Sequence, residues 1–543
     1  MIIGSSIRTA SARTAARTYR VGLLFFCLVV TIGFATGPLA SGQKTAAPRK
    51  LPSAEKITDK YLKALGGKKA VAAIKDATYE FVIQLKDQPI GTARLQRKSP
   101  SSERWEMTFG NGQIISGVNS TSAWEKGLDG HLQTITGAEG AAAKLRTLLD
   151  ASHLNTYKRS NVLARVVSFE DSVSEPAYIV EFSTRPGARL QYCFSVKSGL
   201  LIRITDDVRK TQTWFEDYRV EKGILEPHSI RMEVGRSGEL RFLLHSVKYN
   251  LSLADRIFDP PAADEVLNVS DLLREVGRNQ DEIEKRVTEY SYLQKETDRE
   301  ITGKGDIKKE TVKVFEIFPL ANREPVKKLI SENGVALSGE RAAKEDKRVQ
   351  EELLKAERNR EKDAREVARK RAEREKKNKA AGREGNDDPE ISQFLKVCEF
   401  VSPRREQLSG REAIVFDFRP RAGFRPSNRE ESLIAKLVGV VWIDPVDKQV
   451  IRLEARLAEG FKMAGGLLVS LRPGAALVME QTRMAEGVWL PHFAQINLSI
   501  KVLLFGGGDI NKTIEWSEYR HFSGDVKGYK IDTPKPWWDK FLL

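Results

Sequence analysis

The chain has 543 residues, with 89 Lys and Arg against 74 Asp and Glu, and a net charge of +15. That length allows two or three domains of about 100–200 residues each. With 41% hydrophobic and 30% charged residues it can build a core, which excludes a wholly disordered or fibrous protein.

The first 42 residues read as a signal peptide. Arg8, Arg13, Arg17 and Arg20 precede an apolar run from Val21 to Phe34, and no acidic residue intervenes. The run suits a signal core and is short for a membrane span of about 20 residues. Ala40 and Gly42 suit cleavage before Gln43; an uncleaved anchor is the alternative. Cys27 lies within the apolar run, so no lipidation site is expected. Removing the leader leaves Cys193 and Cys398 in different halves, which predicts two unreactive, partly buried thiols and no disulfide framework. The rest of the chain keeps a charge of +11. No zinc-ligand spacing or ribonucleoprotein motif accompanies it, so nucleic acid is not an expected partner.

Residues 43–52 form a linker. Ser53 is placed to cap a helix carrying Ala54, Ile57, Tyr61 and Leu65, and Gly66-Gly67 ends it. The period then changes to two. Tyr79, Phe81, Ile83 and Leu85 alternate with polar residues, as do Tyr178, Val180 and Phe182, then Ile230, Met232 and Val234. One dry and one wet face is the antiparallel habit. A helix over 141–154 interrupts these strands. The first domain spans 53–268, ending after Phe258-Asp-Pro-Pro261. Ser270 is placed to cap a connecting helix within 269–289.

The second domain, 290–536, repeats the style. Ile414, Phe416 and Phe418 form a dry face, as do Ile451, Leu453, Ala455 and Leu457. Ile496, Leu498, Ile500, Val502 and Leu504 form the longest one. Gly223-Ile-Leu-Glu-Pro-His228 matches Gly487-Val-Trp-Leu-Pro-His492. Ser198–Ile204 compares with Asp447–Leu453 in the same order, which argues for a tandem duplication. Residues 340–381 are rich in Lys, Arg, Glu and Ala, and predict one long charged helix. It is either a solvated connection or a contact for anionic lipid or an acidic partner. The tail, 537–543, carries Trp537 and Trp538. They either dock on the protein or meet a membrane interface.

No motif names a reaction. The six histidines have no metal spacing, and His228 and His492 read as turn residues after Pro227 and Pro491. Gly506-Gly-Gly-Asp509 reads as a hairpin turn. There is no Gly-x-Ser-x-Gly elbow. No cofactor, metal or catalytic residue is expected. A hydrolase would gain support from a histidine and a carboxylate brought together in a cleft.

The export leader, the segment Tyr61-Leu-Lys-Ala-Leu-Gly-Gly67, the stretch Gly117–Trp124, the turn Gly223–Pro227 and Phe258–Pro261 together resemble the outer-membrane lipoprotein-sorting, carrier-like periplasmic superfamily. The likeness covers about residues 53–265, with 290–523 as a second, divergent copy. It implies an α+β fold: two tandem curved antiparallel half-barrels with covering helices, the charged helix being inserted in the second. It also implies a non-enzymatic periplasmic or envelope protein that holds lipid or lipoprotein acyl chains on its apolar faces. The expected contacts are Phe81, Ile83, Ile496, Leu498 and Ile500, unless these are ordinary core. The alternative is an envelope scaffold that binds a protein partner through the 340–381 helix.

Overall fold

The computed structural model describes residues 51–171, 175–233, 238–263, 268–287, 289–302, 306–320, 325–380, 389–463, 469–484, 487–502 and 506–521. The leader with Cys27, most of the linker and the Trp537–Trp538 tail lie outside the described residues. Ser53 caps helix α1 (Ala54–Ala64), its Oγ accepting from Lys56 N at 3.4 Å. Ile57, Tyr61, Leu62 and Leu65 are the buried face. Gly66 and Gly67 end the helix at φ +131° and +101°, values that side chains disfavour. Helix α2 (Lys68–Ala72) follows.

Thirteen described strands make the first sheet. They are β1 (Asp76–Leu85), β2 (Gln88–Lys98), β3 (Ser102–Phe109), β4 (Gly112–Val118), β5 (Ala123–Lys126), β6 (Leu132–Thr134), β7 (Leu163–Glu170), β8 (Ala177–Ser183), β9 (Arg189–Ser195), β10 (Leu201–Asp206), β11 (Thr211–Glu221), β12 (Ile224–Glu233) and β13 (Glu239–Tyr249). The order is β6-β5-β4-β3-β2-β1-β13-β12-β11-β10-β9-β8-β7, antiparallel throughout. The chain runs outward from the centre to one edge. It crosses through α3 (Gly137–Leu148) and the 3-10 turn Leu154–Ser160 to the other edge, and returns. The first strand thus pairs with the last, Tyr79 opposite Val247.

Helix α4 (Val269–Val287) leads to the second sheet: β14 (Tyr290–Ile301), β15 (Ile307–Phe318), β16 (Val326–Glu332), β17 (Val335–Ala336), β18 (Cys398–Leu408), β19 (Arg411–Pro420), β20 (Leu437–Ile443), β21 (Val450–Leu457), β22 (Phe461–Met463), β23 (Val469–Leu471), β24 (Ala476–Arg483), β25 (Trp489–Val502) and β26 (Gly506–His521). Its main order is β17-β16-β15-β14-β26-β25-β24-β21-β20-β19-β18. Again the first strand pairs with the last, Gln294 opposite Trp516. Again a helical crossover joins the two edges, here α5 (Gly339–Ala380) and α6 (Pro389–Val397). The matched turns fall at equivalent places: Gly223 (φ +86°) opens β12 and Gly487 (φ +80°) opens β25, each the last strand but one. The fold is therefore two curved, unclosed antiparallel sheets of one connectivity in tandem, with helices against one face of each.

In the first sheet α1, α3 and the 3-10 turn pack on β8–β10, with Tyr61 against Phe194 at 5.3 Å and Tyr157 against Phe182 at 5.5 Å between ring centroids. In the second, α4 and α6 pack on β19–β21; Phe394 meets Phe418 at 4.9 Å. Helix α4 does more than connect, because Leu272, Leu273 and Val276 belong to that core. Its cap is Asn268, not Ser270: Asn268 Oδ1 accepts from Asp271 N at 3.2 Å. Gly506–Gly508 lie in β26 opposite Val502–Ile500 and so form strand rather than turn. Helix α5 has 42 residues, about 63 Å at 1.5 Å per residue. Only its first turns dock, through Val349 against Phe318 and Val326. Beyond Val349 no described residue of α5 is buried.

The sheets meet through buried polar groups. Thr121 and Ser122 of the first bond Asp417 of the second, and Thr134 bonds Glu406. Farther on, Arg165 pairs with Asp306 and Arg185 with Asp509.

Candidate functional site

The alternation on β1 places Tyr79 and Phe81 on the face that α1 covers, and the face continues through Leu95, Trp105, Ile230, Met232 and Phe242. Helices α1 and α2 cover only part of it. Between them, the loop after α3 and this face lies a cavity of ≈ 200 Å³, bounded by Tyr61, Leu65 and Val71 on the helix side. Three rings form its wall: Phe81 lies 5.9 Å from Trp105 and 6.3 Å from Phe242, and Trp105 lies 5.8 Å from Phe242. Such tilted and stacked pairs hold the wall rigid.

The cavity also has polar lining. Arg97 Nε donates to Glu103 Oε2 at 3.0 Å, and its Nη1 reaches Asp150 Oδ2 at 3.5 Å. Its guanidinium lies 5.8 Å from the Tyr79 ring centre. Arg97 keeps 35% of its side chain accessible because it lines the cavity. Tyr79 and Tyr249 both donate to Glu226 Oε1, at 3.1 and 2.6 Å. Burial pushes the Glu226 carboxyl above its ordinary range, against the pull of the two phenols and Arg97. Burial also pushes Asp150 up, but Arg97 and the Ser152 hydroxyl outweigh it and hold the group low. The Tyr79 phenol is raised well above its usual value by burial and the Glu226 charge, so it stays a donor.

Asp150, Ser152 and His153 do meet in this lining. Their connection is not that of a nucleophile relay. Ser152 Oγ donates to Asp150 Oδ1 at 2.6 Å, and its backbone N bonds the same oxygen at 2.9 Å. The hydroxyl proton is thus held by Asp150. His153 Nδ1, 3.1 Å from Ser152 Oγ, then faces a lone pair and acts as donor, not as base. Burial lowers the His153 pKa, which keeps the ring neutral. Among the described residues no group of three or more His, Cys, Asp or Glu is placed to hold a metal ion.

The five expected contacts are not brought together. Phe81 lies on the cavity wall. Ile83, fully buried, packs two residues further along in the same cluster. Ile496, Leu498 and Ile500 belong to β25 in the other sheet, Ile500 opposite Gly508. Leu498 packs with Leu457 and Phe461. The dry face expected there is reversed. Asn497 and Ser499 are 5% exposed, whereas Ile496 and Leu498 are half-buried. The cause is the first sheet: Asn161 donates to Ser499 Oγ at 3.3 Å, and Asn511, bonded to Asn497 at 2.7 Å, donates to Arg185 O.

Sequence reasoning missed Arg97, Arg146, Glu226, Trp105 and Phe242. One signal was present. Ala93, Leu95 and Arg97 share a face by period two, so a charge at Arg97 points where two buried residues point.

No family model matches the chain, and no curated protein matches it. Solved structures do resemble it. A putative outer-membrane lipoprotein-sorting domain from Vibrio parahaemolyticus is 10% identical, covering 37% of this chain and 97% of its own, with a TM-score of 0.26. A LolA-superfamily protein from Nitrosomonas europaea is 12% identical, covering 38% and 98%, with a TM-score of 0.28. The MucA/MucB complex of Pseudomonas aeruginosa is matched at 10% identity over 86% of this chain and 99% of that one, with a TM-score of 0.17. Both sorting-type structures are matched nearly whole, each by under two fifths of this chain.

Proposed function

We propose that this is an exported, non-enzymatic binding protein of the bacterial cell envelope, and that it holds the apolar part of a lipid-like molecule in the cavity beneath α1. The observation that carries the reading is a partly open space of ≈ 200 Å³ with a wall of rings and a cluster of half-buried polar groups. Protein interiors are packed like organic crystals, so unfilled space with apolar walls and a few convergent polar groups is the natural place for a small ligand. A dry apolar cavity of about 150 Å³ takes a benzene ring. This one therefore suits one ring or one short chain. The several acyl chains of a lipoprotein would not enter together. The Ser152–Asp150 bond argues against acyl transfer at the same place.

A titration with the neutral single-ring dye 4-(dimethylamino)benzonitrile tests this. Wild type should raise the dye's fluorescence at a stoichiometry of one. Met232→Trp, which fills the cavity from β12, should lose that response while keeping its far-UV spectrum. A folded wild type without any response would refute the reading.

A second reading, an envelope scaffold, is favoured by α5, which has no buried residue described beyond Val349. Under it, charge reversal at Lys355, Arg358 and Lys362 would abolish capture of a partner and leave dye binding intact.

A further inference from the structure

Arg146, on α3, lines the same cavity, and among the described residues its guanidinium has no hydrogen-bond or ion-pair partner. Arg146 and Arg97 both line the cavity, as does Tyr192, on whose phenol both charges act. The acids of the lining are engaged. Asp76 accepts from Leu251 N at 2.6 Å. Glu103 takes Arg97 and Trp105 Nε1, the latter at 2.9 Å. Asp150 takes Ser152 and Arg97, and Glu226 takes two phenols. The lysines are engaged too: Lys98 bonds Leu253 O at 2.7 Å and Lys75 bonds Ala72 O at 3.0 Å. Arg97 spends Nε and Nη1 on carboxylates, which leaves Nη2.

A guanidinium carries five N–H donors and no acceptor. Arg146 is half-buried, so without a protein partner it is left to water, and an oxyanion is the strongest partner that can replace that water. We propose that the cavity selects amphiphiles with an oxyanionic head, carboxylate or phosphate, which pairs with Arg146 beside Arg97 while a short apolar body lies against the Phe81–Trp105–Phe242 wall. This rests on the cavity reading above. It adds a head-group preference to that reading and assigns the preference to Arg146.

Calorimetric titration of the full exported chain with octanoate, octyl phosphate, 1-octanol, octylamine and inorganic phosphate tests it. At least one of the two anions should bind at least about tenfold tighter than octanol, the low end for a charge-assisted hydrogen bond. Octylamine should bind more weakly than octanol. Which anion leads separates a free acid from a phosphate head group. Inorganic phosphate should not compete, since it lacks the apolar body. Arg146→Gln should bring the favoured anion down toward the affinity of octanol, with a much smaller change for octanol itself. Arg146→Lys should keep part of the preference, which separates a lost charge from a lost fold. Equal affinity for both anions and octanol would overturn the head-group inference and leave the cavity reading standing. So would an unaffected Arg146→Gln, or competition by inorganic phosphate alone. Failure of octanol and the neutral dye alike would overturn the cavity reading itself.

Discussion

Thr121 of the first sheet donates its hydroxyl to Asp417 of the second at 2.6 Å, joining residues 296 apart in the chain. Ser122 reaches the same carboxylate oxygen at 2.5 Å. The other oxygen accepts from Arg404 Nη1 at 3.1 Å, and Arg404 Nε bonds Glu406 at 2.6 Å. Glu406 closes the junction by accepting Thr134 N at 2.9 Å. Asp417 and Arg404 are 0% and 1% exposed, so neither is solvated by water. Buried ions are tolerable only when each is paired and hydrogen-bonded. Asp417→Ala takes one of its two carboxylate partners from the buried Arg404 guanidinium and leaves the Ser122 hydroxyl without its acceptor. It should lower unfolding stability by about 3–5 kcal/mol, read from urea denaturation. A loss below about 1 kcal/mol would show that the junction does not hold the sheets together.

Gly66 and Gly67 should respond differently to alanine. A Cβ at Gly66 would lie 2.6 Å from Gly223 O, whereas at Gly67 it meets nothing within 4 Å. Both sit at positive φ. Gly67→Ala should then cost about 1 kcal/mol of conformational strain, and Gly66→Ala about 2–3 kcal/mol. Gly66→Ala should also weaken dye binding, since Leu65 and Ile224, which flank this contact, line the cavity. Equal melting points for the two variants would contradict the close approach of helix and turn.

One buried and one half-buried carboxyl should give opposite pH slopes. For Glu296, burial raises the pKa, but Lys327 at 2.8 Å and Lys512 at 2.6 Å outweigh it and hold the group at about 2. Its folded pKa lies below the unfolded value, so its stabilisation is present above about pH 4.5 and fades as pH falls toward 2. Glu226 is raised by burial, so its contribution is present below about pH 4.5 and fades as pH rises through the folded value. Glu296→Gln should destabilise near neutrality and lose that effect in acid. Glu226→Gln should gain on wild type as pH rises above about 4.5. Denaturation midpoints across pH 3–8 check both signs, and parallel slopes for the two variants would contradict the assignment.

Cys193 and Cys398 are both buried and free, and burial pushes their thiols up to about 11 and about 12. Few thiolates exist at neutral pH under those conditions. In the native protein neither should react with iodoacetamide at pH 8 within an hour, and both should react fully in guanidinium. Rapid native labelling of either would mean the core around it opens readily.

Local chemistry made much of the fold legible. Ser53 and Gly66-Gly67 bracket the first helix as their side chains dictate. The period-two runs through Tyr79–Leu85 and Ile414–Phe418 lie in strands. The paired Gly223 and Gly487 turns mark the duplication, and the strand orders share one connectivity. The cavity was not legible, because Tyr61, Asp150 and Phe242 are far apart in sequence and only the folded sheet brings them together. The reversal on β25 was hidden for a similar reason. Alternation says which residues share a face, but the loops of another sheet decide which face is covered. At Asn497 and Ser499 those loops bring polar partners such as Asn161. The cap at Asn268 was missed because Ser270 and Asn268 both suit the role, and only the position of the first turn separates them.

The most direct measurement is native mass spectrometry of the protein purified from a host that exports it, followed by organic extraction. The account predicts a bound mass of one small amphiphile in wild type, absent from Met232→Trp. A clean unliganded mass that also takes up neither octanol nor octanoate would contradict it.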